Sequence, residues 1–282
     1  MRIKQERGRR GLRCGVALLL LMMLCGLAAP ASAEALFRVE PVPTETPTPT
    51  GAPDTSLHVE VLRPTAVPAT NGKRILIYHT HTWEAFTQTA DDPYVETEKW
   101  RTRDNSANMV AVGDALTASL TSLGFEVVHD TTAFEPPNLA ESYQRSLTML
   151  EERLARGEAY DLYIDLHRDA FASATAVQRT VNIGGVETAR FMVLVGKGEG
   201  YAEKPDWEAN YAIAQSITDS LNGQHEGLCR SIALKTGRYN QHIAPCCVLI
   251  ECGNNFNTLD EVLSGIPYLA HAILATLVET ED

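Results

Sequence analysis

The sequence predicts an α/β fold, a mainly parallel twisted sheet with helices on both faces. Three observations carry that expectation. Continuous apolar runs such as RILIYH, LYIDL and CVLIE recur along the chain, and runs of that kind suit strands buried on both sides. Stretches with apolar residues at helical spacing separate them, and alternating strand–helix units build parallel sheets. Three of the runs end in His, Asp or Glu, and open α/β sheets gather their active residues just beyond the carboxyl ends of the strands.

Residues 74–79 are the first expected strand. Residues 105–123 follow as a helix, with Met109, Val112, Leu116, Leu120 and Leu123 on one stripe and Gly124 to stop it. Residues 125–129 read as a second strand. Residues 139–156 read as a second helix, with Leu147, Leu150 and Leu154 aligned. Residues 162–166 are a third strand. Residues 180–183 and 191–195 look like a strand pair around Gly184-Gly185. A helix over 207–221, a buried strand over 247–251 and a helix over 259–280 complete the domain.

That domain is expected over residues 71–282, roughly 210 residues, enough for one substantial core. Two different segments precede it. Residues 1–33 combine a basic start (Arg2, Lys4, Arg7, Arg9, Arg10, Arg13), an apolar run over 15–29 and the small residues of Ala31-Ser32-Ala33. These are the parts of a signal peptide or short signal anchor, so the chain is expected to be exported, either secreted or membrane-anchored. Residues 34–70 hold seven prolines between Pro41 and Pro68, among Thr and Ala. Proline fixes φ and removes amide donors, so this stretch reads as a flexible tether.

The leader carries six Lys/Arg against Glu6, so residues 34–282 hold a charge of −17 within a whole-chain −12. So acidic a domain does not seek nucleic acid, whose phosphates reward a basic surface. Beyond Cys14 and Cys25 of the leader, the cysteines are Cys229, Cys246, Cys247 and Cys252, with no CxxC pair. A Cys-rich zinc cluster is therefore not expected. An exported chain could join Cys229 to Cys246 or Cys247; the alternative is buried free thiols. Cys252 belongs to the core, which argues against nucleophilic work there.

The chemistry sits at the strand ends. IYHTHTWE supplies His79, His81 and Glu84; YIDLHRDA supplies Asp165, His167, Arg168 and Asp169; VLIECGNN supplies Glu251. Two imidazoles and a carboxylate with an open position suit zinc, and a second carboxylate near the water is then a general base. A single strand-end His is more often a hydrogen-bonded structural residue. Glu251 inside an apolar strand is more telling, because a buried carboxylate is costly unless paired, bonded or protonated. The alternative for it is an ion pair with Arg168 or Arg238.

The motifs HTHTWEAF, NMVAVGDAL, YIDLHRDA, RYNQ and LIECGNNFNTLDE occur in that order across residues 74–275. In combination they resemble the stage II sporulation protein P family of endospore formers, which is itself similar to the zinc N-acetylmuramoyl-L-alanine amidases. The resemblance implies a Zn2+ cofactor held by His81, His167 and a carboxylate. That carboxylate is Glu84 or, by the amidase pattern, Asp104 four residues before Asn108; His79 is a further alternative or a residue orienting a ligand. Glu251 falls on the catalytic Glu and Asn257 on the Asn that follows it. Arg168 is expected to bind the oxyanion or a substrate carboxylate. Tyr239 and Asn240 are expected to line the groove or only to make a turn, and Asp165, Asp169 and Asn257 to support the ligands. The sequence departs from the amidase pattern at Cys252 and at Asn254-Asn255, neither on an expected ligand.

The resemblance further implies cleavage of the N-acetylmuramoyl-L-alanine amide bond of peptidoglycan, with endopeptidase action on stem crosslinks. It places the chain in forespore engulfment, facing the cell wall or septal space, beside a membrane-bound lytic transglycosylase. Two other classes stay open from the residues alone: an exported zinc deacetylase or peptidase, and a non-catalytic wall-binding module. Released stem peptide, released acetate or no turnover tells them apart.

Overall fold

The computed structural model describes residue 70 and residues 72–278, apart from 176–177, 200–202 and 205. The expected leader, the expected tether up to residue 69 and the last residues of the expected C-terminal helix lie outside the described residues.

Strands β1 (Arg74–Tyr78), β2 (Glu126–His129), β3 (Leu162–Asp169), β6 (Phe191–Gly196), β7 (Ala233–Lys235) and β8 (Cys247–Asn254) form one sheet in the order β2-β1-β3-β8-β6-β7. The pairs β2–β1, β1–β3 and β3–β8 are parallel, whereas β6 runs antiparallel to β8. The sheet is thus mainly parallel. The expected partner of 180–183 is corrected: β4 (Thr180–Ile183) forms its hairpin with β5 (Val186–Ala189), and residues 191–196 enter the main sheet. Gly184 and Gly185, both at positive φ, close the turn after β4, so the tightest return uses the next four residues and frees β6.

Period-two alternation divides the sheet's side chains between two faces. Ile75, Ile77, Ile164, Leu166, Val248, Ile250 and Val193 pack with α1 (Met109–Ser122), α3 (Trp207–Gln224) and α5 (Ile266–Val278) in one core. Leu76, Tyr78, Tyr163 and Cys247 pack on the other face against Leu150 of α2 (Ser142–Ala155). Among the described residues helices therefore cover both faces, thickly on one and more thinly on the other, where α2 and the turn at Ile243 pack. Each buried Leu or Ile side chain contributes about 1.5–3 kcal/mol.

Helix α1 starts at Met109, where its apolar stripe begins, rather than at the expected residue 105, because Asn108 caps it: Val110 N donates to Asn108 Oδ1 at 2.9 Å. The C-terminal helix is two. α4 (Leu259–Leu263) opens with a Thr258–Glu261 capping box and gives way at Ser264-Gly265 to α5. Residues 259–278 are apolar enough, at mean hydropathy 1.5, to pass as a membrane span, yet Ile266, Leu269, Ala270, Ile273 and Leu277 lie in the core, which accounts for their character. All four cysteines of the domain are free thiols, and Cys229, Cys247 and Cys252 are buried.

Candidate metal and acid–base site

Strands β3 and β8 run further than their apolar cores, so their polar residues stay in the ladder, with His167 directly opposite Glu251. On the period-two count Asp165, His167 and Glu251 share the sheet face that carries Tyr78, Tyr163 and Cys247. That is the face on which α2 packs. Beyond β1 the chain turns, and Thr80, His81 and Glu84 come up beside them.

Asp165 is fully buried and held by Thr80, whose N and Oγ1 donate to its two oxygens at 2.8 and 2.7 Å. Its Oδ1 lies 2.8 Å from His167 Nε2, close enough to pair but off the line of a hydrogen bond. On the other side of that ring, His167 Nδ1 lies 3.5 Å from Glu84 Oε2. Burial opposes a charge on His167, but the two carboxylates outweigh it and hold the imidazole's pKa well above its ordinary value. Burial pushes Glu84 upward, and His167 and Arg168 outweigh that, bringing it to about 2. His81 sits edge-on to His167 with ring centroids 5.3 Å apart. Burial, then the neighbouring His167, lowers it to about 4, so His81 is a neutral imidazole. Its Nδ1 is buried with no hydrogen-bond partner among the described residues. Glu251 is buried, its Oε2 is equally unpartnered, and burial raises its carboxyl to about 8.

This donor set fits zinc. Two imidazoles and one carboxylate border one another, buried ring and carboxyl atoms lack partners, and a further carboxylate stands opposite. The side chains do not close on a point as they stand: no three His, Cys, Asp or Glu groups among the described residues converge tightly enough to hold an ion.

Several expected residues are placed elsewhere. Asp104 lies in the exposed turn before α1, its Oδ1 taken by Ser106 N at 3.0 Å and Ser106 Oγ at 2.6 Å, so Glu84 is the carboxylate that reaches His167. His79 faces away from His167, toward α1. Its Nδ1 is 3.0 Å from Leu166 O and its Nε2 is 2.8 Å from His129 Nε2. Arg168 borders the site, but its guanidinium donates to backbone carbonyls, Nε to Ala85 O at 2.9 Å and Nη2 to Trp100 O at 3.1 Å. It ties down the loop between β1 and α1 rather than presenting its donors to a substrate. Asn257, fully buried, accepts from Asn254 N at 2.9 Å and donates to Glu261 Oε2 at 2.8 Å, fixing the chain after β8. Asp169 pairs with Arg230 at 2.7 Å.

Tyr239 and Asn240 form a left-handed turn, with φ of 49° and 54°. Asn240 Nδ2 donates to Tyr143 O at 2.8 Å and to Ser146 Oγ at 3.0 Å, pinning the first turn of α2 to the site. Tyr143 itself lies edge-on to His81 at 5.5 Å, parallel to His167 at 6.5 Å and edge-on to Tyr239 at 5.7 Å. The sequence reading missed it: a Tyr in the first turn of a helix has no motif, and only the way α2 crosses the sheet brings it here. Glu135 was missed as well, since it lies in the irregular connection after β2, where no periodic pattern marks it. It is buried behind Glu84, its Oε1 accepting from Trp83 N at 2.7 Å and Arg101 Nη2 at 3.1 Å.

Similarities to known proteins agree with these motifs. The Stage II sporulation protein P of Bacillus subtilis (strain 168) is 29% identical over 201 residues, 67% of this chain and 47% of that protein, so this chain spans about half the relative's length. Among solved structures, an N-acetylmuramoyl-L-alanine amidase of Nostoc punctiforme covers 74% of this chain and 97% of its own at 12% identity, with a TM-score of 0.44. The N-acetylmuramyl-L-alanine amidase of Mycobacterium smegmatis covers 74% and 98% at 16% identity, with a TM-score of 0.43. The sequence profile described as Stage II sporulation protein P matches residues 44–274. The chain belongs to the stage II sporulation protein P family.

Proposed function

We propose that this chain is a zinc-dependent peptidoglycan hydrolase that cleaves the N-acetylmuramoyl-L-alanine amide bond during forespore engulfment. One observation carries the reading: His81 and Glu84, from the turn after β1, meet His167 and Glu251 at one end of the sheet, and His81 Nδ1, His167 Nε2 and Glu251 Oε2 are buried without hydrogen-bond partners among the described residues. His81, Glu84 and His167 are the residues that would hold the ion. When bound, zinc supplies Lewis acidity, polarising the amide carbonyl and lowering the pKa of a water toward about 7.

The chain's own residues do the rest. Asp165 faces one ring nitrogen of His167 and leaves the other toward Glu84, the arrangement by which a carboxylate orients a ligating imidazole. Glu251, its carboxyl raised by burial, takes a proton from the attacking water and returns it to the leaving amine. The amide C–N bond breaks, the muramoyl lactyl group gains the oxygen as a carboxylate, and L-alanine leaves with a free amine.

The same reading covers cleavage of stem-peptide crosslinks and a membrane-bound lytic transglycosylase as partner. An exported, membrane-tethered enzyme fits the basic and apolar leader and the proline-rich stretch after it. Digestion of purified peptidoglycan with the full chain tests it. Free stem peptides bearing a new L-alanine amine support the amidase. Acetate without stem peptides indicates a deacetylase, and no product with zinc supplied rejects a hydrolase.

A further inference from the structure

The expected hydrogen-bond donor of this site does not face it. The Arg168 guanidinium is bound to the carbonyls of Ala85 and Trp100, so an amide oxygen gathering negative charge needs another donor. The side chain set against both imidazoles is Tyr143. The first turn of α2 carries it, and Asn240 clamps that turn through Tyr143 O and Ser146 Oγ. Ser146 Oγ in turn lies 2.9 Å from Thr80 Oγ1, which is bonded to Asp165. The ring is thus held by the framework that orients His167. The side chain is half-buried, and its hydroxyl makes no hydrogen bond among the described residues. We propose that Tyr143 is a catalytic residue of this site, its phenol donating a hydrogen bond to the carbonyl oxygen under attack.

The donor keeps its proton throughout: no bond to the phenol oxygen forms or breaks, and Glu251 alone moves protons. A preorganised donor of this kind is worth more as charge develops than in the ground state. The inference rests on the hydrolase reading above.

The test compares the full chain with Tyr143→Phe, which keeps the ring, and Tyr143→Leu, which removes it. Zinc content and melting temperature are measured alongside peptidoglycan hydrolysis and the Kd for acetohydroxamate, a zinc-seeking anion that places an oxygen beside the metal. The proposal expects Tyr143→Phe to keep its zinc and its melting temperature and to lose roughly 100-fold in kcat with little change in KM. It also expects acetohydroxamate to bind the variant about tenfold more weakly. Wild-type behaviour of Tyr143→Phe in both readouts, with only Tyr143→Leu impaired, overturns the donor and leaves a packing role. Loss of zinc from Tyr143→Phe also overturns it, in favour of a structural role. If the wild type holds zinc and binds acetohydroxamate but cleaves no peptidoglycan, the hydrolase substrate is wrong, and the acetohydroxamate ratio alone decides the donor.

Discussion

At the scale of single residues, the site is defined by which carboxylate faces which ring. Glu84 and Asp104 are both acidic and both lie between β1 and α1, yet only Glu84 lies against His167, while Asp104 is occupied by Ser106. We therefore expect Glu84→Gln to lose bound zinc and Asp104→Asn to keep it, as read by metal analysis after dialysis. Retention by the first with loss from the second would move the ligand back to the helix start. His167 and Glu251 stand out in the sequence because a polar residue breaks or follows an apolar run, and the strands carry on past those runs, so both stay in the ladder. His79 was ambiguous from sequence, since it sits two residues before His81; it continues the Ile75–Ile77 side of β1 and faces α1, while the turn after Tyr78 brings His81 to the other side beside His167. Arg168 was misjudged because the carbonyls that bind it belong to a loop about 70 residues earlier, and no local pattern announces that contact.

At the scale of elements, the loop over residues 83–102 closes on itself and on β3. Ala85 N donates to Trp100 O, Thr102 N donates to Trp83 O, and Met109 N donates to Glu84 O, with distances of 2.9, 2.9 and 3.1 Å. Trp100 adopts a φ of 57°, which is uncommon for a bulky residue and is held by its contacts with Ala85 and Arg168. Arg168→Lys replaces a two-pronged donor by a single point charge. It is expected to expose this loop to proteolysis and to weaken zinc retention through Glu84, without unfolding the sheet. Helix α1 is pinned at its start by Asn108, so Asn108→Ala should cost about 1 kcal/mol or somewhat more in denaturant unfolding. The strands and helices were legible because each is long and strongly patterned. The β4–β5 hairpin partner, the short β7 and the break at Ser264-Gly265 were not, because each depends on what packs against it.

At the scale of the whole molecule, α1, α3, α4 and α5 pack on one face of the sheet and α2 on the other, and the site occupies the α2 side. α2 is fastened to the sheet edge by Arg153, whose Nη2 lies 2.7 Å from Asp130 Oδ2 at the end of β2. Burial works against the Asp130 charge, but its bonds from Arg153 and Thr132 outweigh it and hold the carboxyl below the usual range. A carboxylate lowered in the fold stabilises above its ordinary pKa of about 4 and loses that contribution as pH falls through the lowered value. Asp130→Asn should therefore lower Tm at pH 6, and the gap to the wild type should narrow as pH falls below about 4. Leu116, fully buried under the thicker face, should cost about 2–5 kcal/mol when cut to Ala. The most direct test of the central claim is zinc analysis of the full chain beside His167→Ala and Glu251→Gln, with stem-peptide release from peptidoglycan measured on the same samples. The account predicts one zinc per wild-type chain with stem peptides released, no zinc in His167→Ala, and full zinc without turnover in Glu251→Gln. A wild type that binds no zinc, or a Glu251→Gln variant that still releases stem peptides, would contradict it.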